Sequence, residues 1–195
     1  MILKIKTYPD PVLKKKAEKV KEINEEIKSL IRDMFETMYD SQGIGLAAPQ
    51  VGISKQIVVV AVSDAPRGAP QSAANSRLER AEFDSGRAER GAPQSAANSR
   101  PEQTFILINP KILKKKGKIL FEEGCLSVPG IYLKIKRAKE VVVGALNEKG
   151  EKFQLQAQGL LAVCLQQEID HLQGILIIDR IPLIEKIKLK FLRKI

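Results

Sequence analysis

Near the C-terminus the chain reads Leu165-Gln166-Gln167-Glu168-Ile169-Asp170-His171. A metal-hydrolase helix wants His-Glu-x-x-His. Its two imidazoles, four residues apart, face one ion, and the glutamate between them works on the bound water. Glu168 and His171 meet two of these needs, and Gln167 stands where the first imidazole would be. Two other stretches carry residues with chemical potential. In Gly43-Ile44-Gly45-Leu46-Ala47-Ala48-Pro49-Gln50, small residues let a backbone or ligand approach closely, and Gln50 offers both an amide donor and an acceptor. Alone, such a stretch commonly just turns a chain. In Glu123-Gly124-Cys125-Leu126-Ser127 the thiol, taken by itself, is more often a small buried apolar residue than a ligand. Cys164, one turn before Gln167, sits in an apolar stripe and reads as core.

The elements that must position these residues are legible as a mixed α and β pattern. Asn24 to Tyr39 places Ile27, Leu30, Ile31, Met34, Phe35 and Met38 on one stripe, which predicts an amphipathic helix. Gln56 to Val62 is a β-branched run expected to form a buried strand, and Phe105 to Asn109 reads as another. Lys118 to Phe121, Tyr132 to Ile135, Glu140 to Leu146 and Lys152 to Gln156 continue the strand pattern, with a hairpin turn at Asn147-Glu148-Lys149-Gly150. Gln158 to Leu172 predicts an almost fully buried helix ended by Gly174. Strand runs followed by one central helix indicate an α+β domain. The stretch from Leu183 to Ile195 is expected to be a short terminal helix packed on that domain.

At 195 residues the chain suits one domain with a real core. Lys and Arg number 33 against 23 Asp and Glu, a net charge of +10. That excess leaves acidic partners and a ribosomal surface open. The lysines are scattered with few aromatics among them and no specific nucleic-acid motif, so they read as solvated faces of a heat-adapted protein. Two cysteines make no disulfide framework, and no apolar run is long enough to span a bilayer. The expected compartment is the cytoplasm, without a membrane.

The middle of the chain differs from its flanks. Arg67 to Arg77 is repeated without change as Arg90 to Arg100, with Leu78 to Glu89 between the copies. The copies are rich in Gly, Pro, Ser, Ala and Asn, and neither has an apolar face to stack, so they read as flexible linker. From Ala65 to Gln103 the chain uses six of its ten arginines and none of its 23 lysines. A duplicated linker with a reversed Lys/Arg preference indicates a segment inserted by engineering or acquired recently, with two readings for 78–89: a displayed peptide, or a short helix with Glu79 and Glu82 in its first turn and Gly86 at its end.

Taken in order, the three chemical stretches closely resemble the signatures of peptide deformylases: a Gly-x-Gly-x-Ala-Ala-x-Gln loop, a Glu-Gly-Cys-Leu-Ser segment and a His-Glu-x-x-His helix. The resemblance extends to Tyr8-Pro9-Asp10-Pro11-Val12-Leu13, Ile108-Asn109-Pro110 and His171-Leu172-Gln173-Gly174, and covers everything outside roughly 65–103. It implies a deformylase-like α+β fold, with mixed and antiparallel sheets around the motif-bearing helix. Cys125 and His171 would be ligands of a divalent metal, ferrous iron or alternatively zinc or nickel, with Gln167 in the degraded ligand position. Glu168 would move the proton, while Gln50 and the backbone N–H of Leu126 would hold the developing oxyanion. The substrate, an N-formylmethionyl peptide, would lie near Gly43, Ile44 and Gly45 and the strand before Cys125. A glutamine amide is a poor ligand, so metal binding is expected to be weak or absent and activity lost or impaired. Two readings follow: an impaired deformylase, or a silenced scaffold displaying 78–89 to a receptor or antibody.

Overall fold

The computed structural model describes residues 1–62 and 103–191. The duplicated segment lies outside the described residues. Gln103, expected at the edge of the insert, instead opens a strand.

Among the described residues, seven strands form two sheets. β1 (Gly45–Ala47), β2 (Ile57–Val62), β3 (Gln103–Lys116), β6 (Glu140–Leu146) and β7 (Lys152–Gln158) make a five-stranded sheet in the order β1-β2-β3-β6-β7. β4 (Ile119–Cys125) and β5 (Val128–Arg137) make a separate antiparallel pair. All pairings within strands are antiparallel. Among the described residues three α-helices accompany them: α1 (Glu25–Asp40), α2 (Gly159–Leu172) and α3 (Leu183–Phe191).

The alternation of β2 and β3 explains the layering. Side chains of successive strand residues point to opposite faces. Val58, Val60 and Val62 join Phe105 and Leu107 in the cluster that includes Leu161 and Leu165 of α2. Ile57, Val59 and Ala61 join Ile106 and Ile108 in the cluster that includes Ile31, Met34 and Met38 of α1. The sheet therefore lies between α1 and α2, and the β-branched run of β2 is buried on both faces. A third cluster, including Leu13, Val128, Ile131 and Leu176, seats the β4–β5 pair.

Most expected elements are present with shifted ends. α1 begins after Asn24, whose side chain accepts from the Ile27 N–H and caps it, with Glu25 and Glu26 in the first turn. α2 starts one residue later than expected and carries a nearly continuous run of buried residues. β3 runs well past the expected Asn109, because register shifts around Ile108/Lys111 and Ile112/Lys114 carry it round the bends that periodicity cannot show. β1 was expected only as a loop; three small or apolar residues give too short a pattern to read. α3 differs from expectation in packing. Leu183 and Ile184 are exposed, and Lys186 ties the helix to Asp179 by an ion pair at 3.2 Å.

Candidate active site

The site forms where β1, the β4–β5 turn and α2 meet. β1 is an edge strand whose Gly45 faces α2. A Cβ there would stand 2.6 Å from the Cys164 Sγ and 2.8 Å from a Glu168 carboxyl oxygen, so only glycine lets the strand lie this close to the helix. Ile44 is exposed beside it, and its carbonyl accepts from the Ala61 N–H and the Cys164 thiol. Gly43 closes the other side, with Leu126 Cδ1 2.9 Å from where its Cβ would be.

Gln50 reaches the site from the 3-10 turn Ala48–Val51 that follows β1. Its Oε1 accepts from the Ala47 N–H at 2.8 Å, which fixes the amide orientation. Its Nε2 then donates to Ser127 Oγ at 3.3 Å and points toward Cys125 Sγ at 3.8 Å. Cys125 ends β4 and pairs with Val128 across the two-residue turn Leu126-Ser127. Its Sγ lies 3.3 Å from Nε2 of His171, one helical turn beyond Glu168 on α2. Burial, then the nearby Glu168, pushes the Cys125 thiol up to about 12, against the Ser127 N–H, the Gln167 amide and the Val128 N–H. Burial likewise pushes the Glu168 carboxyl up to about 8 and the His171 imidazole down to about 4. Two buried atoms here have no partner, Oε2 of Glu168 and Nδ1 of His171.

Two donors suit a metal, and the third does not. Metal–ligand lengths of about 2.3 Å to sulfur and about 2.0–2.1 Å to nitrogen let Cys125 and His171 share one ion across their separation. The unpartnered Glu168 oxygen is available to whatever occupies that space. Gln167, however, donates from Nε2 to the Gly124 carbonyl at 3.0 Å and also bonds the Cys125 sulfur. Turned this way, the amide presents an N–H to the sulfur, and its neutral oxygen is a poorer metal ligand than an imidazole nitrogen. Among the described residues, no group of three or more His, Cys, Asp and Glu side chains converges to hold an ion. The side chains gathered at this point are Cys125, His171 and the Gln167 amide.

The structure also brings in residues that the sequence did not single out. Arg137, at the end of β5, is buried and binds Glu123 through two nitrogens at 2.7 and 2.8 Å. It also donates to Asp170 of α2 at 2.5 Å. Arg180 bonds Asp170 from outside, with Nε at 2.9 Å. Burial opposes the Arg137 charge, but Glu123 and Asp170 outweigh it and hold the guanidinium protonated. This network locks the hairpin carrying Cys125 to the helix carrying His171. Its carboxylates both lie inside the motif stretches; the arginine, distant in sequence from Asp170, gives no local signal. Cys164 is a buried core side chain, as its apolar stripe indicates.

A family model described as polypeptide deformylase matches residues 2–187. The peptide deformylase of Thermodesulfovibrio yellowstonii is 46% identical over 180 residues, spanning 92% of this chain and 89% of that protein. That of Neisseria meningitidis is 41% identical over 189 residues, spanning 97% and 92%. Among solved structures, a peptide deformylase from Legionella pneumophila superposes over 99% of this chain and 96% of its own, with 36% identity and a TM-score of 0.73.

Proposed function

The chain belongs to the polypeptide deformylase family, and on that premise we propose that it carries the body of an N-formyl peptide hydrolase whose metal site lacks one ligand. The substrate class is the N-formylmethionyl peptide, cleaved to formate and a free amino terminus. Its backbone would pair with the edge formed by Gly43, Ile44 and Gly45, where the alternation that turns the Ile44 carbonyl toward β2 turns Gly45's peptide groups away from it. The Gln50 Nε2 and the Leu126 N–H would receive the oxyanion, and Glu168, protonated below about pH 8, would hold the proton for the leaving amine.

Cys125 and His171 would supply two ligands to ferrous iron, zinc or nickel. When bound, such a metal acidifies water from a pKa of about 15.7 to about 7. The observation that carries impaired activity is the Gln167 amide, held by the Gly124 carbonyl with its N–H groups toward the thiol. The test is deformylation of a formyl-Met peptide by this chain and by Gln167→His, both given ferrous iron without oxygen. Activity in the variant alone supports the reading. Comparable activity in both overturns it.

The identical copies at 67–77 and 90–100 favour a second reading, an engineered insertion in a silenced scaffold displaying 78–89 to a receptor or antibody. Under that reading trypsin cuts first at Arg77, Arg80, Arg87 or Arg90, and resistance there refutes it. Because N-formylmethionyl ends are made on nascent chains, this reading carries with it a cytoplasmic setting and the ribosome as a neighbour. No helix among the described residues is long and apolar enough to cross a membrane.

A further inference from the structure

The two sheets are joined by connections that lie side by side. β3 passes through Gly117 and Lys118 into β4, and β5 passes through Ala138 and Lys139 into β6. The Gly117 backbone takes a left-handed φ of 66°, and a Cβ there would lie 3.2 Å from the Lys139 Cβ. The second connection is clamped to α2. Gln166 accepts from the Ala138 N–H and donates to its carbonyl, each at 3.0 Å. One rigid corner thus collects Lys114, Lys115, Lys116, Lys118, Lys136 and Lys139, all exposed.

Lysines that merely solvate a surface are interspersed with carboxylates, as on α1, where Glu25 pairs with Lys28 and Asp33 and Glu36 stand nearby. The corner differs. Between 110 and 119 and between 136 and 147 the sole acidic residue is Glu140, which pairs with Lys116 at 3.5 Å. A depression of about 290 Å³, lined by Lys114, Lys115, Lys116, Gln156 and Gln158 together with Glu140, lies on one side of the β3 lysines, three cations to one carboxylate. A second, of about 400 Å³, lies on the other side, with Lys111, Ile169 and Gln173 in its wall. Lysines over concave ground with neutral amides beside them match closely spaced phosphates flanked by hydroxyls.

We infer that this corner is a docking surface for the phosphate backbone of an RNA duplex. The two connections carry no aromatic side chain, so unpaired bases have no platform to stack on. The exposed leucines that flank the lysines, Leu113 on β3 and Leu120 on β4, belong to different sheets, whereas a lipid-binding surface gathers its apolar side chains on one face. The corner meets α2 at Ile169 and Gln173, while His171 and Gln167 of the same helix face Cys125. RNA held there leaves the peptide cleft open. The inference is independent of whether Gln167 silences the site.

The test is fluorescence anisotropy of a labelled RNA duplex of about 16 base pairs over a salt series, with the full chain. The triple variant Lys114→Gln, Lys115→Gln, Lys118→Gln should weaken binding by about tenfold or more near 0.1 M salt and flatten the log–log salt slope by about 2 to 3. The control Lys15→Gln, Lys16→Gln, Lys19→Gln removes equal charge elsewhere and should change affinity by less than about threefold. Equal losses in both variants would show that affinity follows net charge alone and would overturn the inference. So would absence of binding by the parent chain, or tighter binding to phosphatidylserine vesicles than to the duplex.

Discussion

Glu168 and His171 share one burial and respond to it in opposite directions, which gives the metal-free protein a distinctive pH response. The Glu168 value of about 8 lies above its ordinary 4.5, so between these limits the native state holds a proton that the unfolded chain releases. Stability attached to Glu168 therefore falls as pH rises through that window. The His171 value of about 4 lies below 6.5, so the unfolded chain holds the extra proton there and stability rises with pH. The two slopes oppose one another up to about pH 6.5, leaving a net fall between 6.5 and 8 of up to about 1.4 kcal/mol per pH unit. Urea unfolding in the presence of a chelator should show that decline, and Glu168→Gln should abolish it; a flat profile in the parent chain counts against the buried carboxyl. Gly45 gives a second expectation. The contacts its Cβ would make with Cys164 and Glu168 predict that Gly45→Ala costs about 1–3 kcal/mol, read from the same unfolding curves. At this scale the sequence was most informative. Cys125, Gln50, Glu168 and His171 stand in recognisable motifs, and the fold brings them together. Which way the Gln167 amide turns depends on the Gly124 carbonyl of another strand, which no local pattern reveals.

Among the elements, the hairpin and α2 are held together chiefly by charge. Arg137 joins the two through Glu123 and Asp170, all three side chains being buried or nearly so. Removing the cation leaves two carboxylates facing each other in a low-dielectric setting. Arg137→Met is expected to lower the free energy of unfolding by about 3–5 kcal/mol in urea titration. A loss below about 1 kcal/mol would show that the hairpin is seated by its apolar cluster alone. Helices and strands with clean periodicity, α1 and β6 above all, were readable within a residue or so from sequence. The path of β3 was less so, since Asn109 takes a positive φ and its side chain brackets Val20, both N–H and carbonyl at 2.9 Å. That bend is dictated by a residue far away in the chain.

For the whole molecule, the question is how the body bears its long connection. Val62 at the end of β2 is the register partner of Gln103 at the start of β3, so the chain leaves and re-enters the sheet at adjacent positions. Loop closure costs about 0.6 kcal/mol per doubling of length, so replacing residues 64–101 by a short hairpin turn should gain about 2 kcal/mol. For a chain of this size that raises the melting temperature by about 4–8 °C, checked by calorimetry. A rise of tens of degrees would mean that the segment strains the body. The α+β class was legible from strand runs around one buried helix, and the family resemblance supplied the arrangement that periodicity leaves open.

The Val62–Gln103 pairing also divides the molecule along a functional seam. Gly43, Ile44, Gly45 and Gln50 precede it, while Cys125, Gln167, Glu168 and His171 follow it. A protein expressed as two pieces severed within that connection would hold the edge proposed to bind peptide on one fragment and every candidate metal donor on the other. Neither piece alone could do chemistry, and β2 zipping onto β3 would be the event that assembles the site. The body is thus suited to act as a split reporter, with hydrolysis by the Gln167→His form as its signal.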